Sequence, residues 1–374
     1  MPAVSVIVPM FNGATYLPAF FESLRQALPE HSQILIVDDA STEDVLSLVP
    51  AFPRADSVTI LRNESNFGYS VAVNRAFLET TGEIVIQLNT DLVLDPACIT
   101  AMIDLLNREP AAGVVGSKLV FPTTGLIQHI GLAFGEYSMP HIYFELPADH
   151  PLCSRTREVQ ITTGATVATS KRVLDILGPL EERYFNCNED LEHCLIANKH
   201  GLKNFVSAES VAYHWESQSG PSRFARKATS DALFWSRWAD CIEVDLGRFV
   251  DEAIECALEQ DSQLDDLKFD VLDLTRGADQ NIALNRIEHY WPGSRSRVRS
   301  HRQMNNPEVR LRLPFLLPHW TMHQPTPFLY LVDRYRELEE NSMWFETRRQ
   351  IVADELIVDL RGVVLPTSQL RFAS

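Results

Sequence analysis

The amino-acid sequence predicts an α/β protein with a mostly parallel sheet flanked by helices, followed by a C-terminal accessory region that is α/β or mainly helical. Three observations carry this reading. Apolar runs of strand length alternate with amphipathic stretches through residues 3–108. The runs are nearly continuous rather than alternating, as strands covered on both faces of a parallel sheet require. Several of them end in polar clusters, and such sheets bind ligands at the carboxyl ends of their strands.

Residues 3–9, AVSVIVP, read as a buried strand. A turn at Asn12-Gly13 follows, then a helix near 15–27 marked by Leu17, Phe20, Phe21 and Leu24. QILIVDDAS (33–41) is a second strand ending in Asp38 and Asp39, and SVTILRN (57–63) a third. Residues 69–80 suit a helix that Gly82 can end. EIVIQLN (83–89) is a fourth strand and 96–108 another helix. AGVVGSKLVF (112–121) reads as a strand, and residues 160–177 as a strand with a small-residue turn and then a helix. NEDLEHCLIANKHG (188–201) is a helix that Asn188 can cap, with acids in its first turn and His200-Gly201 at its end. Extended structure over 204–217 reaches His214, and a helix near 222–239 closes a first domain, residues 1–240.

Beyond it the chain turns acidic over 251–270, so 241–270 reads as a helix and linker and 271–374 as a C-terminal accessory domain. That domain holds a strand at 269–277, a helix at 278–290, a basic turn-rich loop at 292–302, a proline-punctuated stretch at 311–328 and a long helix at about 329–353.

A formal net charge of −17 over 374 residues argues against a nucleic-acid surface, which needs a basic footprint. It leaves a phosphorylated ligand open, because local donors and a metal can hold one. Six scattered cysteines with no C-x-x-C pair fit reduced thiols and argue against zinc. The N-terminus lacks the basic start of a signal peptide, and no apolar run approaches the ~18 residues of a membrane span. The expectation is a cytoplasmic protein whose membrane contact, where made, is peripheral at the inner face. Arg295, Arg297, Arg299 and Arg302 allow contact with an anionic lipid, although so few charges favour a solvated loop.

Each polar cluster has a plain reading beside a functional one. Asp38-Asp39 suits an Asx turn or a contact to nucleobase or ribose. Gly68, between Asn66 and Asn74, is either a turn glycine or a point of close backbone approach to a nucleotide. Asn89-Thr90-Asp91 is either a polar strand exit or a metal edge. Mg²⁺ or Mn²⁺ often takes one or two protein carboxylates and the rest of its ligands from phosphate and water. Glu189-Asp190 sits where the helix dipole favours acids in any case, and the same dipole keeps Asp190 ionised as a proton acceptor. His214 is a packed histidine or a neutral nitrogen ligand. Tyr137, Tyr143, Trp291 and Trp320 are sugar-facing or core; spacing does not separate the two.

In order, VSVIVPMFNG, LIVDDAS, NFGYSVAVN, LNTDLVL, TTGATVATSKR, NEDLEHCL and AYHWESQSG resemble the motif series of the family-2 glycosyltransferases, which have the Rossmann-like GT-A fold. The resemblance covers about residues 3–240, and its last motif is similar to bacterial members that build O-antigen or capsule. It implies an inverting, metal-dependent, non-processive hexosyl- or deoxyhexosyltransferase of surface polysaccharide synthesis. The donor would be a UDP-, dTDP- or GDP-linked sugar, the acceptor a glycan or lipid-linked glycan, and the cofactor Mg²⁺ or Mn²⁺.

By the same resemblance Pro9 and Asn12 shape the first nucleotide loop, Asp39 contacts the base, and Asn66, Gly68 and Asn74 border the nucleotide. Asn89 and Thr90 fall on the donor side. Asp91 binds the metal with His214, Gly164 and Ala165 form the acceptor-side turn, and Asp190 is the general base with Glu189 its neighbour. The chain departs from the family at Asn89, where a strict D-x-D has an acid, and near Ile196, where an arginine usually follows the acid pair. FWSRW (234–238) is similar to half of the motif of processive synthases, with Phe234 in place of the glutamine, and Trp238 reads as core packing. The alternative to an enzyme is a catalytically silent GT-A module that binds sugar nucleotide or scaffolds an assembly. A nucleotidyltransferase ranks last, since VPMFNGATYL has no lysine or arginine. The C-terminal part resembles no family; an acceptor-binding, dimerisation or neighbouring glycosyltransferase module are the expectations for it.

Overall fold

The structure, a computed structural model, describes residues 3–51, 58–215, 226–276, 279–297, 299–300, 322, 324–352 and 355–370. It divides into two compact units, one of Met1–Leu132 with Glu145–Ile242, the other of Ala133–Phe144 with Glu243–Ser374.

In the first unit the predicted apolar runs are strands β1 (Val4–Met10), β2 (Gln33–Asp38), β3 (Val58–Arg62) and β4 (Ile84–Leu88). They lie side by side in the order β3-β2-β1-β4, all parallel, with Ile7 opposite both Leu35 and Gln87. Successive side chains point to opposite faces, and both faces are covered, which is why the runs do not alternate. Val6, Val8, Ile34, Ile36 and Ile86 pack in one core with Phe20 and Leu24 of α1 (Leu17–Ala27) and Ile99 and Met102 of α3 (Cys98–Arg108). Ile7, Leu35, Val37 and Val85 pack in the other with Val73 and Phe77 of α2 (Tyr69–Phe77).

The second half of this sheet is mixed. It contains β5 (Leu92–Leu94), β6 (Ala112–Val120), β7 (Ile127–His129), β8 (Arg157–Val159), β9 (Thr166–Ser170) and β10 (Lys203–His214). The order continues β4-β9-β6-β10-β5, with β7 added to β6 and β8 to β10. Antiparallel β9 runs back from the small-residue turn to α4 (Lys171–Leu177), whose first turn is capped by Ser170. α5 (Glu189–Lys199) and α6 (Lys227–Trp238) complete the unit.

One local expectation fails. Asn188 precedes α5 but sits at φ 77° and makes no side-chain cap; its amide donates to Asp231 of α6 at 3.0 Å. The side chain serves a tertiary contact that local sequence does not show.

The second unit is α/β. Its sheet runs β12 (Arg299–Ser300), β11 (Asp270–Asp273), β13 (Phe328–Val332), β14 (Leu356–Asp359), β15 (Val364–Pro366), parallel except for the last pair. The long helix expected over 329–353 is not present as such. Phe328–Val332 is a strand buried at all five positions, followed by a 3-10 turn at Tyr335–Asn341 and a short helix, Ser342–Arg349. Five consecutive buried apolar residues suit a strand covered on both faces, and that requirement outweighs helical spacing further along. The stretch read as a helix and linker is not loose. α7 (Leu246–Gln260) buries Phe249, Val250, Ala253 and Ile254 and packs on α8 (Gln280–Tyr290) and β15, and its acids sit on the opposite side.

Ala133–Phe144 joins this unit although it precedes the rest by a hundred residues. The Tyr143 hydroxyl donates to the Phe249 carbonyl at 3.1 Å and to Glu252 at 2.9 Å, and the Tyr143 amide donates to the Arg361 carbonyl at 2.9 Å. Tyr143 and Trp291 are core residues, whereas Tyr137 is exposed. Trp320 and Arg302 lie outside the described residues. Among the described residues no helix is long and apolar enough to cross a membrane.

Candidate active site

The polar strand exits predicted from sequence converge on one cavity of about 480 Å³ in the first unit, a size that suits a small-molecule ligand. Pro9, Asn12, Asp39, Asn66, Gly68, Asn89, Thr90, Asp91, Gly164, Ala165, Glu189, Asp190 and His214 all line it. Asn74 does not: its amide donates to the Leu180 carbonyl and accepts from the Leu180 amide, at 2.9 and 2.7 Å, tying α2 to the segment before α5. Met10, Phe11, Tyr16, Glu43, Tyr69, Thr163 and Asn186 also line the cavity and were not singled out from sequence. Tyr69 had a signal, as the first residue after the turn glycine; Asn186 had none.

The two aspartates after β2 divide their tasks. Asp38 is fully buried and accepts from the Ser41 amide at 2.9 Å, which is the Asx-turn reading. Asp39 faces the cavity, and its oxygens accept from Asn63 Nδ2 at 2.7 Å, Phe67 N at 3.1 Å and Gly68 N at 2.8 Å. It therefore fixes the loop before α2. Gly68 is required there: φ is +96°, and a Cβ would stand 2.4 Å from the Phe185 carbonyl oxygen. Asn12, at φ 57°, accepts from the amides of Thr42 and Glu43 at 2.8 and 3.2 Å and so joins the exits of β1 and β2.

Asp91 and His214 meet because β5, which follows Asp91 directly, pairs antiparallel with the end of β10, Leu92 opposite His214. The Trp215 amide donates to the Asp91 carbonyl at 3.0 Å. This places His214 Nε2 3.3 Å from Asp91 Oδ1, and Nε2 is buried with no hydrogen-bond partner. A carboxylate oxygen beside an orphaned imidazole nitrogen is a donor pair that fits Mg²⁺ or Mn²⁺. Among the described residues no group of three or more His, Cys, Asp or Glu forms a complete cage, so phosphate and water would supply the other ligands.

Asp190 is held from two sides. Oδ2 accepts from the Gly164 amide at 2.6 Å and Oδ1 from its neighbour Leu191 N at 2.9 Å. A Cβ on Gly164 would lie 2.9 Å from Asp190 Cβ and 3.2 Å from Oδ2. Gly164→Ala should therefore displace this carboxylate, lowering kcat at least tenfold while the melting temperature stays within a few degrees; steady-state kinetics beside a thermal melt check it. Behind Asp190, Glu192 is buried and accepts from the Tyr184 hydroxyl at 2.7 Å and Trp238 Nε1 at 2.8 Å, and Arg237 pairs with it at 2.8 Å. Trp238 is thus the core residue expected, and it also anchors α5. Burial and the Glu192 carboxylate push the Tyr184 hydroxyl pKa far up.

His193, one residue further along α5, is buried, and desolvation lowers its pKa from 6.5 to about 4. Between those values the unfolded chain binds a proton that the folded one does not. Stability should fall as pH drops from 6.5 toward about 4, by about 1.4 kcal/mol per pH unit. Urea unfolding of His193→Gln against the native protein should show this part of the slope gone.

A sheet whose parallel strands end around one cavity, with an acid just before antiparallel β5 and a histidine at the end of β10 on its rim, is the arrangement of a GT-A domain. The solved structure of GalNAc-T7 with UDP, GalNAc and Mn²⁺ shares the fold, with a TM-score of 0.51 at 14% identity over 78% of this chain and 55% of that one. Residues 5–175 match the family described as Glycosyl transferase family 2. That segment, a little under half of the chain, lies in the unit that holds the cavity and carries its likeness to the glycosyltransferases of that family.

Two curated relatives are similar. One is the O-antigen biosynthesis protein RfbC of Myxococcus xanthus, 30% identical over 250 residues, which are 64% of this chain and 19% of that protein. The other is the N-acetylglucosaminyl-diphospho-decaprenol L-rhamnosyltransferase of Mycobacterium tuberculosis, 25% identical over 243 residues, 59% of this chain and 78% of that protein. The chain spans about a fifth of the length of the first.

Proposed function

We propose that the chain transfers a sugar from a nucleoside-diphosphate sugar to a glycan or lipid-linked acceptor hydroxyl, with inversion, in the synthesis of a bacterial surface polysaccharide. The observation that supports this best is the single cavity holding both the Asp91–His214 pair and the backbone-held Asp190. Asp190 accepts the acceptor hydroxyl proton as that oxygen forms its bond to the anomeric carbon. The bond from that carbon to the diphosphate oxygen breaks, and the diphosphate leaves with the electron pair. One displacement of this kind inverts the centre, by the logic of a base that activates the nucleophile across the ring. A divalent ion held by Asp91 and His214 would offset the charge gathered on the leaving diphosphate. The loop fixed by Asp39 and the start of α2 after Gly68 would border the nucleotide, Gly68 leaving room for its close approach.

The names of the two relatives support the polysaccharide setting and a lipid-linked acceptor. The burial of Trp238 against Glu192 supports non-processive transfer, since the tryptophan of the partial synthase motif is not available to an acceptor chain. The test is a panel of UDP-, dTDP- and GDP-linked sugars with Mn²⁺ or Mg²⁺, followed by release of nucleoside diphosphate without acceptor. One donor class should be hydrolysed slowly. Tight binding with no hydrolysis of any donor would instead identify the silent module.

A further inference from the structure

Gln128 takes no part in the chemistry above, yet it is 3% exposed at the centre of β7 and holds His214 at two points. β7 pairs with β6, and β6 with β10 through Val120 opposite Tyr213, which carries Gln128 to the histidine that follows. Gln128 Nε2 donates to the His214 carbonyl oxygen at 3.2 Å, and Gln128 Oε1 lies 2.6 Å from His214 Nδ1.

These two contacts decide which ring nitrogen of the neutral imidazole carries the proton. A carbonyl oxygen can only accept, so the amide NH₂ must face it. The amide oxygen is then on Nδ1, and Nδ1 must carry the proton. A neutral imidazole protonated at Nδ1 presents a bare lone pair at Nε2. That nitrogen is the buried atom with no hydrogen-bond partner, 3.3 Å from Asp91 Oδ1. In the neutral ring two acceptors face each other at close to the separation of neighbouring ligands on one divalent ion, about 3 Å.

We infer that Gln128 is a positioning residue for the metal site: it selects the Nδ1-protonated tautomer of His214 and fixes the ring so that Nε2 is directed to an ion shared with Asp91. The inference rests on the metal reading given under the proposed function. Partners of this kind on the second nitrogen of a ligating histidine are worth about 10–100-fold in metal affinity.

The test has two readouts besides activity. Imidazole ¹⁵N NMR of the protein, with the His214 signal identified by its loss in His214→Ala, should show the neutral ring protonated at Nδ1 and bare at Nε2. Mn²⁺ binding, followed by electron paramagnetic resonance of the free ion, should weaken about 10–100-fold in Gln128→Leu and Gln128→Met. Gln128→Glu, which still accepts the Nδ1 proton but loses the donor to the His214 carbonyl, should weaken Mn²⁺ binding less than Gln128→Leu does. Gln128→Leu added to His214→Ala should cost nothing further.

An Nε2-protonated ring in the native protein overturns the inference without any variant, and so does unchanged Mn²⁺ affinity in folded Gln128→Leu or Gln128→Met. Should Asp91→Ala and His214→Ala also leave Mn²⁺ binding unchanged, or the native protein bind none, the metal reading itself falls and the inference with it. If those two variants weaken binding and the Gln128 variants do not, only the role of Gln128 is wrong.

Discussion

Asp190→Asn should bind donor as the native protein does and lose transfer, with kcat reduced by about 10²–10⁴, the contribution of a positioned general base. The substitution preserves shape. An asparagine oxygen can still accept from Gly164 or from Leu191, so the turn between the two halves of the site has reason to hold. What is lost is the capacity to take a proton. Donor titration by calorimetry and single-turnover transfer separate the two effects: unchanged donor Kd with slow chemistry is the expected pair. Near-normal turnover would mean that some other group removes the proton. Glu189 is the neighbour to examine then, since it lines the same cavity.

Asp91→Ala should act on binding. The carboxylate is one of two protein groups fitted to the ion, and the diphosphate is expected to reach the protein largely through that ion. Affinity for the donor in Mn²⁺ should fall about a hundredfold, on the order of 3 kcal/mol, and come to match the native protein in chelator. Calorimetry with Mn²⁺ and with chelator checks it. A native protein whose donor affinity is the same in both media would remove Asp91 from any metal role.

Much of this site was legible because the strands of a parallel sheet deliver their exits to one end. Asp39, Asn89 to Asp91 and the first loop were each weak signals, and topology brings them together. Asp190 and His214 were legible through their motifs, and the structure adds why they are held. Gly164 makes room for Asp190, and β5 pairs with β10 so that His214 returns to Asp91.

What was not legible came from contacts distant in sequence. Asn74 looked like a pocket residue and instead ties α2 to Leu180, 106 positions away. Asn188 had the chemistry of a cap and donates to Asp231. Gln128 lies in a three-residue strand with no motif around it, and only the sheet reveals its partner 86 positions on. In the second unit, Phe328–Val332 carried apolar residues that helical spacing also accommodated; burial on both faces made it a strand. Residues 133–144 have no periodicity to show that they pack with Phe249 and Arg361.

The measurement that bears most directly on the proposed chemistry is the anomeric configuration of the sugar first released from the donor when water serves as acceptor. It needs no knowledge of the natural acceptor, and proton NMR reads it before the free sugar equilibrates. A single displacement with Asp190 as base predicts the configuration opposite to that of the donor, released in Mn²⁺ and suppressed in Asp190→Asn. Release with the donor's own configuration, or at the same rate in Asp190→Asn, would contradict it.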